Sequence, residues 1–232
     1  EIVPELAKSG IIIHKRESLD EKQRKRLRKY FYRDIFPVLT PLAFDKSHPF
    51  PFISNLALNL AVILKRPGSS DELFARIKIP NKLFPRLIEI PVDPENNHLR
   101  ENQEFIFLED LIADNLDLLF PGMEIVAAYP FRVTRDADIE IEEDEADDLL
   151  SAVEQSISKR WIGTPVRIEI DNNMIPAIVD MMGAKLAKYP HMFYQVKGPM
   201  GMADLFCLLN LDRPDLKDYP FLPSVPEWLE RD

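Results

Sequence analysis

The segment LALNLAVILK at residues 56–65, followed by LFARIKI at residues 73–79, indicates the fold of this chain. Both segments are short and mostly apolar, so each predicts a β-strand. Between them lies Pro67-Gly68-Ser69-Ser70, whose composition is typical of a hairpin connection. The stretch therefore predicts two neighbouring strands of a sheet.

Outward from this pair, the chain mixes further strand and helix patterns. Strands are predicted at 11–13, 84–90, 104–108, 124–133 and 166–170, and helices at 1–8, 18–34, 110–120, 144–159, 176–186 and 204–209. Regular alternation of strand and helix is absent from this order. The sequence therefore predicts an α+β fold with a mixed, largely antiparallel sheet and packed helices.

The predicted helix at 18–34 has one apolar stripe and a strongly basic remainder. Ser18 and Glu21 have the spacing of a capping box, which places the N-cap at Ser18. The stripe consists of Leu19, Leu27, Phe31 and Ile35, and the basic residues are Lys22, Arg24, Lys25, Arg26, Arg28 and Lys29. Two interpretations stay open, contact with a phosphate polymer and an ordinary solvated helix face.

Composition limits the class of protein. The 232 residues are 46% hydrophobic, which is enough for a buried core, and the formal net charge of −10 argues against a nucleic-acid-binding protein. The single cysteine, Cys207, excludes an internal disulfide framework. No transmembrane segment or signal peptide is evident, so we expect a cytoplasmic location. Because the first residue is Glu1, we expect a fragment of a longer protein.

An acidic run and four histidines are the other candidates for chemistry. Asp136, Asp138, Glu140 and Glu142 alternate and would line one face of a strand, where they could hold Mg²⁺ or Ca²⁺ or pair with Arg135. The histidines are His14, His48, His98 and His191, and none has a second His or Cys at ligand spacing. The sequence also lacks the glycine-rich phosphate loops. These residues alone predict a non-catalytic α+β domain.

Three longer stretches resemble one family. IFPVLTPLAFD at 35–45 runs into HPFPFISNL at 48–56, TRDAD at 134–138 precedes EADDLL at 145–150, and LDRPDLK follows at 211–217. In this order they resemble the middle region of the bacterial polyphosphate kinases of the first type. The resemblance extends over nearly the whole chain, from about Glu5 to Trp228.

The resemblance implies a place within a larger enzyme. Such enzymes transfer the terminal phosphate of ATP to polyphosphate, with Mg²⁺, through a phosphohistidine. They combine a helical N-terminal domain, a middle or head domain, and two C-terminal domains similar to phospholipase D. The resemblance implies that residues 1–9 end the N-terminal domain, 10–212 form the head domain, and 213–232 lead to a missing C-terminal domain.

By the same resemblance, the catalytic chemistry belongs to the missing domains. No histidine of this chain inherits the phosphohistidine role, and we expect no catalytic, cofactor-binding or metal-binding residue here, since ATP, Mg²⁺ and polyphosphate bind elsewhere in the parent enzyme. The head domain is associated with self-association as a dimer, so we expect a structural, dimer-forming role. Membrane association of the parent enzyme would be peripheral.

Two arginines, Arg132 and Arg135, are the candidates for facing a polyphosphate path, because arginine suits bidentate phosphate contact. Ion pairing with neighbouring acids is the alternative for both. Two other functions compete with the head-domain assignment. One is an independent interaction module, and the other is a polyanion-binding module that uses the basic helix at 18–34.

Overall fold

A computed structural model describes residues 2–44, 50–69, 71–92, 102–136, 163–187 and 189–219. These ranges contain nine strands in two sheets, together with five α-helices. The strands are β1 (Ile11–His14), β2 (Leu42–Phe44), β3 (Leu58–Lys65), β4 (Glu72–Lys78), β5 (Leu87–Glu89), β6 (Gln103–Phe107), β7 (Glu124–Arg135), β8 (Pro165–Asp171) and β9 (Phe193–Val196). The helices are α1 (Ile2–Lys8), α2 (Glu21–Tyr30), α3 (Leu108–Ala113), α4 (Leu116–Leu119) and α5 (Pro176–Leu186).

The pairing of the strands confirms the predicted α+β class with a mixed, largely antiparallel sheet. The larger sheet has the order β2-β4-β3-β7-β8-β9, and its neighbours are antiparallel except for β8 and β9. The smaller sheet has the order β1-β6-β5, in which β1 and β6 are parallel. The hairpin predicted from residues 56–79 is β3 and β4, with Lys65 opposite Glu72.

Strand β3 separates two hydrophobic cores. Leu60 and Val62 belong to one core, which α2 and α3 cover, and Ala61 and Ile63 belong to the other, which α5 covers. All four residues are buried. A strand that is buried on both faces needs apolar residues at successive positions, which explains the uninterrupted run at the centre of residues 56–65.

Helix α2 begins two residues later than the sequence predicts. The N-cap is Asp20, whose side chain accepts from the backbone N–H of Gln23, while Ser18 lies in a preceding 3₁₀ turn. The prediction of Ser18 as N-cap was therefore wrong. The helix ends at Tyr30 and continues as a π-helical turn over Phe31–Ile35. All four residues of the predicted stripe are buried.

Other elements follow the sequence with local differences. The predicted helix at 110–120 is divided into α3 and α4, and the one at 204–209 is a 3₁₀ helix over Met202–Asn210. Strands β2 and β9 were not predicted. The helix predicted at 144–159 lies outside the described residues. Within the described ranges, no helix has the length and apolar character that crossing a membrane requires.

Candidate functional site

The basic face of α2 is partly neutralised by acidic residues around α4. Arg24 donates to the carboxylate of Asp114, and Arg28 forms two hydrogen bonds to Asp117, at 2.9 and 2.5 Å. The Arg28 guanidinium holds the pKa of the Asp117 carboxyl below its ordinary value. Two of the six basic residues therefore attach α2 to the end of α3 and to α4, which matches the structural interpretation for those two. Lys22, Lys25 and Lys29 are exposed, and Arg26 is half-buried.

Arg132, on β7, pairs with an acid of the neighbouring strand. Its Nη1 donates to Oε2 of Glu169, on β8, at 2.9 Å, and its Nε donates to the carbonyl of Leu56 at 3.2 Å. The side chain is 20% exposed. Arg132 therefore has an acidic partner, although that partner does not belong to the acidic run.

Arg135, at the end of β7, is buried and binds backbone carbonyls. Its Nε donates to the Ile53 carbonyl and its Nη1 to the Gly163 carbonyl, both at 2.7 Å. The guanidinium lies 4.5 Å from the centre of the Phe52 ring, and the backbone N–H donates to Oδ1 of Asn55 at 2.8 Å. Burial lowers the pKa of Arg135. Arg132 and Arg135 thus both hold the segment 52–56 in place.

This segment forms one wall of a cavity of about 870 Å³. Three lining residues are basic, four carry hydroxyl or amide groups, and the others are apolar or small. They are Arg76, Lys78 and Lys82; Thr40, Ser54, Asn55 and Asn81; and Val38, Leu42, Phe52, Leu56, Ala57, Ile79, Pro80 and Leu83. None of these described lining residues is acidic, so the cavity has a positive electrostatic character.

Arg76 is the buried basic residue in the lining of this cavity, and sequence reasoning missed it. It is 6% exposed, its Nε donates to Oδ1 of Asn59 at 2.7 Å, and within the described residues its buried Nη2 has no hydrogen-bond partner. Burial lowers the pKa of Arg76. The available signal was a single arginine in the middle of the apolar strand LFARIKI, where a charged side chain needs a specific reason.

A second cavity, of about 420 Å³, lies between the two sheets and has mixed charge. Lys15, Arg16, Glu17, Glu109 and Asp110 are among its lining residues. Burial, together with the neighbouring Glu109 carboxylate, raises the pKa of Asp110 to about 7. Because both signs of charge line this cavity, it is less suited to a multiply charged anion than the Arg76 cavity.

The histidines and the acidic run remain apart from both cavities where the structure describes them. His14 Nε2 lies 3.5 Å from a Glu104 oxygen, and the His191 ring stacks on Tyr189. His48, His98, Asp138, Glu140 and Glu142 lie outside the described residues. Asp136 donates its backbone N–H to the Thr164 carbonyl. In the described part of the chain, no group of three or more His, Cys, Asp or Glu side chains could hold a metal ion.

Three comparisons with known proteins all point to the same family. Residues 22–208 match the family model described as the polyphosphate kinase middle domain. The chain is 48% identical over 98% of its length to a polyphosphate kinase of Aphanizomenon baltica, and 42% identical over 96% to one of Mycolicibacterium gilvum. The crystal structure of polyphosphate kinase from Porphyromonas gingivalis superposes over the whole chain with a TM-score of 0.80 and 25% identity.

These relatives are longer than this chain. It spans 59% of the Aphanizomenon protein, 30% of the Mycolicibacterium protein and 32% of the Porphyromonas chain. The residues that the family model matches include the whole lining of the Arg76 cavity and the arginines of β4 and β7. The chain belongs to the polyphosphate kinase family and corresponds to its middle domain.

Proposed function

We propose that this chain is the non-catalytic head domain of a polyphosphate kinase, with a structural and dimer-forming role. The observation that carries the proposal is the 48% identity with a polyphosphate kinase over 98% of the chain. In this proposal the parent enzyme transfers the terminal phosphate of ATP to polyphosphate through a phosphohistidine. The ATP, Mg²⁺ and phosphohistidine sites belong to parts of the enzyme outside residues 1–232. The single cysteine supports a cytoplasmic enzyme.

The boundaries we propose are 1–9 for the end of a helical N-terminal domain, 10–212 for the head domain and 213–232 for a linker. Arg213 Nη1 donates to the Ser9 carbonyl at 2.6 Å, so the two proposed boundaries lie side by side. Near them, Ile2, Met202 and Phe206 are 67–72% exposed. Exposed apolar side chains at the two ends are suited to contact with flanking domains.

Sedimentation equilibrium at two salt concentrations tests the dimer-forming role. If the dimer contact lies within these 232 residues and buries the roughly 1,200–2,000 Å² that a stable interface needs, we expect a dimer at both concentrations. A monomer at both concentrations would contradict a dimer contact within these 232 residues. We also expect no ATP-dependent polyphosphate synthesis by the chain, and robust synthesis would contradict the non-catalytic assignment.

A polyanion-binding module that uses α2 is the alternative function. Its support is the exposure of Lys22, Lys25 and Lys29. If it is correct, changing all three lysines to Gln should weaken polyphosphate binding and flatten its dependence on salt concentration. Under the head-domain proposal, the same substitutions leave binding unchanged, because the three lysines then belong to an ordinary solvated helix face.

A further inference from the structure

We propose that the cavity around Arg76 is a binding site for a phosphate oxyanion. The site itself follows from the arrangement of charges and donors in the cavity. Only the identification of a polyphosphate chain as the natural source of the anion rests on the proposed function.

The first argument is the state of the Arg76 guanidinium. It is buried, it is fixed through Nε by Asn59, and no carboxylate of the described residues forms an ion pair with it. Asn59 is itself held by its Nδ2 hydrogen bond to the Ala57 carbonyl, at 2.7 Å, so the guanidinium has a defined position. A buried cation without a counter-charge is costly, and an anion in the cavity would remove that cost.

The second argument is the distribution of the other charges. Lys78 follows Arg76 by two positions in β4, so both side chains are on the same face of the sheet. Lys78 Nζ lies 3.5 Å from the hydroxyl of Ser54, and both residues line the cavity. Lys82 is exposed in the turn that follows β4. Three cations with no acid among the described lining residues attract an anion that carries more than one negative charge.

The third argument is that the opposite wall is held in a specific conformation. Leu56 has a φ of +58°, which is unusual for a residue other than glycine. Its backbone N–H donates to the Val133 carbonyl at 2.8 Å, and its carbonyl accepts from Arg132. Asn55 uses its Oδ1 to accept from the Arg135 backbone, which leaves its amide nitrogen as the group that can donate to a ligand.

The chemistry of the cavity favours a phosphate group over a single carboxylate. A phosphate group offers three or four oxygens and up to two charges, and it matches the planar donors of a guanidinium. A carboxylate would leave most of the positive charge of three cations unneutralised. The lining also includes the exposed apolar side chains of Leu42, Phe52 and Leu83.

Calorimetric titration of the chain tests the proposal with three ligands: inorganic phosphate, tripolyphosphate and citrate. We expect tripolyphosphate to bind and citrate, a tricarboxylate of similar charge, to bind at least about tenfold more weakly, equivalent to about 1.4 kcal/mol. If inorganic phosphate and tripolyphosphate each bind, the site takes a single phosphate group. If only tripolyphosphate binds, the site takes a chain of linked phosphate groups. Equal binding of citrate, or no binding of either phosphate ligand, would overturn the proposal.

Variants then locate the site. Arg76→Met should weaken tripolyphosphate binding at least about tenfold, while the exposed Arg66→Met, which removes the same charge outside the cavity, should not. Because Arg76→Met leaves the buried Oδ1 of Asn59 without its donor, the unfolding temperature of this variant is measured beside its binding. Lys78→Gln with Lys82→Gln alters exposed residues and should also weaken binding. Unchanged binding in both cavity variants would exclude this cavity.

The outcomes separate this proposal from the proposed function. A dimer that does not bind tripolyphosphate contradicts the oxyanion site and leaves the dimer-forming role intact. A monomer that binds tripolyphosphate through Arg76 supports the oxyanion site and contradicts a dimer contact within these 232 residues. Binding that is lost only when Lys22, Lys25 and Lys29 are changed would move the anion to α2 and overturn the assignment to the Arg76 cavity.

Discussion

At the scale of single residues, the partners of each arginine determine what it does. Arg28 pairs with an exposed acid, Arg135 binds backbone carbonyls, and Arg76 has an asparagine at Nε only. A partially neutralised surface arginine contributes little to binding or stability. The buried Arg76 retains its full charge beside a cavity, which makes it the arginine best placed to bind an anion.

Asp110 should make the stability of the chain depend on pH. Burial, with repulsion from Glu109 and Glu17, raises its pKa to about 7, although Arg16 and Lys15 oppose the shift. Between about pH 4 and 7 the folded chain therefore holds a proton that the unfolded chain releases. The free energy of unfolding contributed by Asp110 falls as pH rises through this window, by about 1 kcal/mol per pH unit.

Urea unfolding at pH 5, 6, 7 and 8 measures this effect. We expect Asp110→Asn to be more stable than the original chain at pH 8 and to lose less stability between pH 5 and 7. The control is Asp71→Asn, which alters an exposed carboxylate. Parallel pH profiles for the original chain and Asp110→Asn would show that Asp110 has an ordinary pKa.

At the scale of elements, α2 shows how a local motif and its surroundings select a helix start. Ser18 with Glu21 and Asp20 with Gln23 both fit a capping box. The Ser18 hydroxyl donates to the Lys15 carbonyl inside the preceding turn, which leaves Asp20 to cap the helix. Gln23 then donates to Glu104, on β6, at 2.6 Å, so the cap also attaches α2 to the smaller sheet.

Removal of the cap should therefore destabilise the chain. We expect Asp20→Ala to lower the free energy of unfolding by about 1 kcal/mol, because the backbone N–H of Gln23 loses its acceptor. Ser18→Ala should cost less than half as much. Urea unfolding of both variants measures the difference, and a larger loss for Ser18→Ala would restore Ser18 as the cap.

At the scale of the whole molecule, Arg86 connects segments that are distant in sequence. It lies just before β5 and is 2% exposed. Its Nε donates to both Glu109 oxygens, in α3, at 3.1 and 3.0 Å, and its Nη1 donates to the Met200 carbonyl at 2.6 Å. The ion pair thus joins the smaller sheet, α3 and the C-terminal part of the described chain.

Breaking this ion pair should be among the most damaging single substitutions. Arg86→Met leaves the Glu109 carboxylate buried without its partner, so we expect a loss of about 3–5 kcal/mol in the free energy of unfolding. Arg86→Met combined with Glu109→Leu should recover part of that loss. Arg33→Met, which breaks an exposed pair with Asp34, is the matched control and should change little. Equal stability of the Arg86 and Arg33 variants would contradict the proposed importance of this contact.

Much of the fold is evident from the sequence because its signals are local. The apolar runs predict β3 and β4, and the spacing of Leu27, Phe31 and Ile35 predicts the buried side of α2 and of the π-helical turn that follows it. The ordered stretches resemble one family. Each of these depends on residues that are close in the chain, where periodicity and propensity act.

The tertiary structure alone decided the candidate site. The sequence drew attention to Arg132 and Arg135, yet the partners that occupy them, Glu169 and Ile53, are 37 and 82 residues away. In the sequence, Arg76 looked like part of an ordinary strand. It is a candidate binding residue because, among the described residues, no acid pairs with its buried guanidinium. Whether a charge is neutralised depends on distances through space, and only packing brings distant residues close enough to decide it.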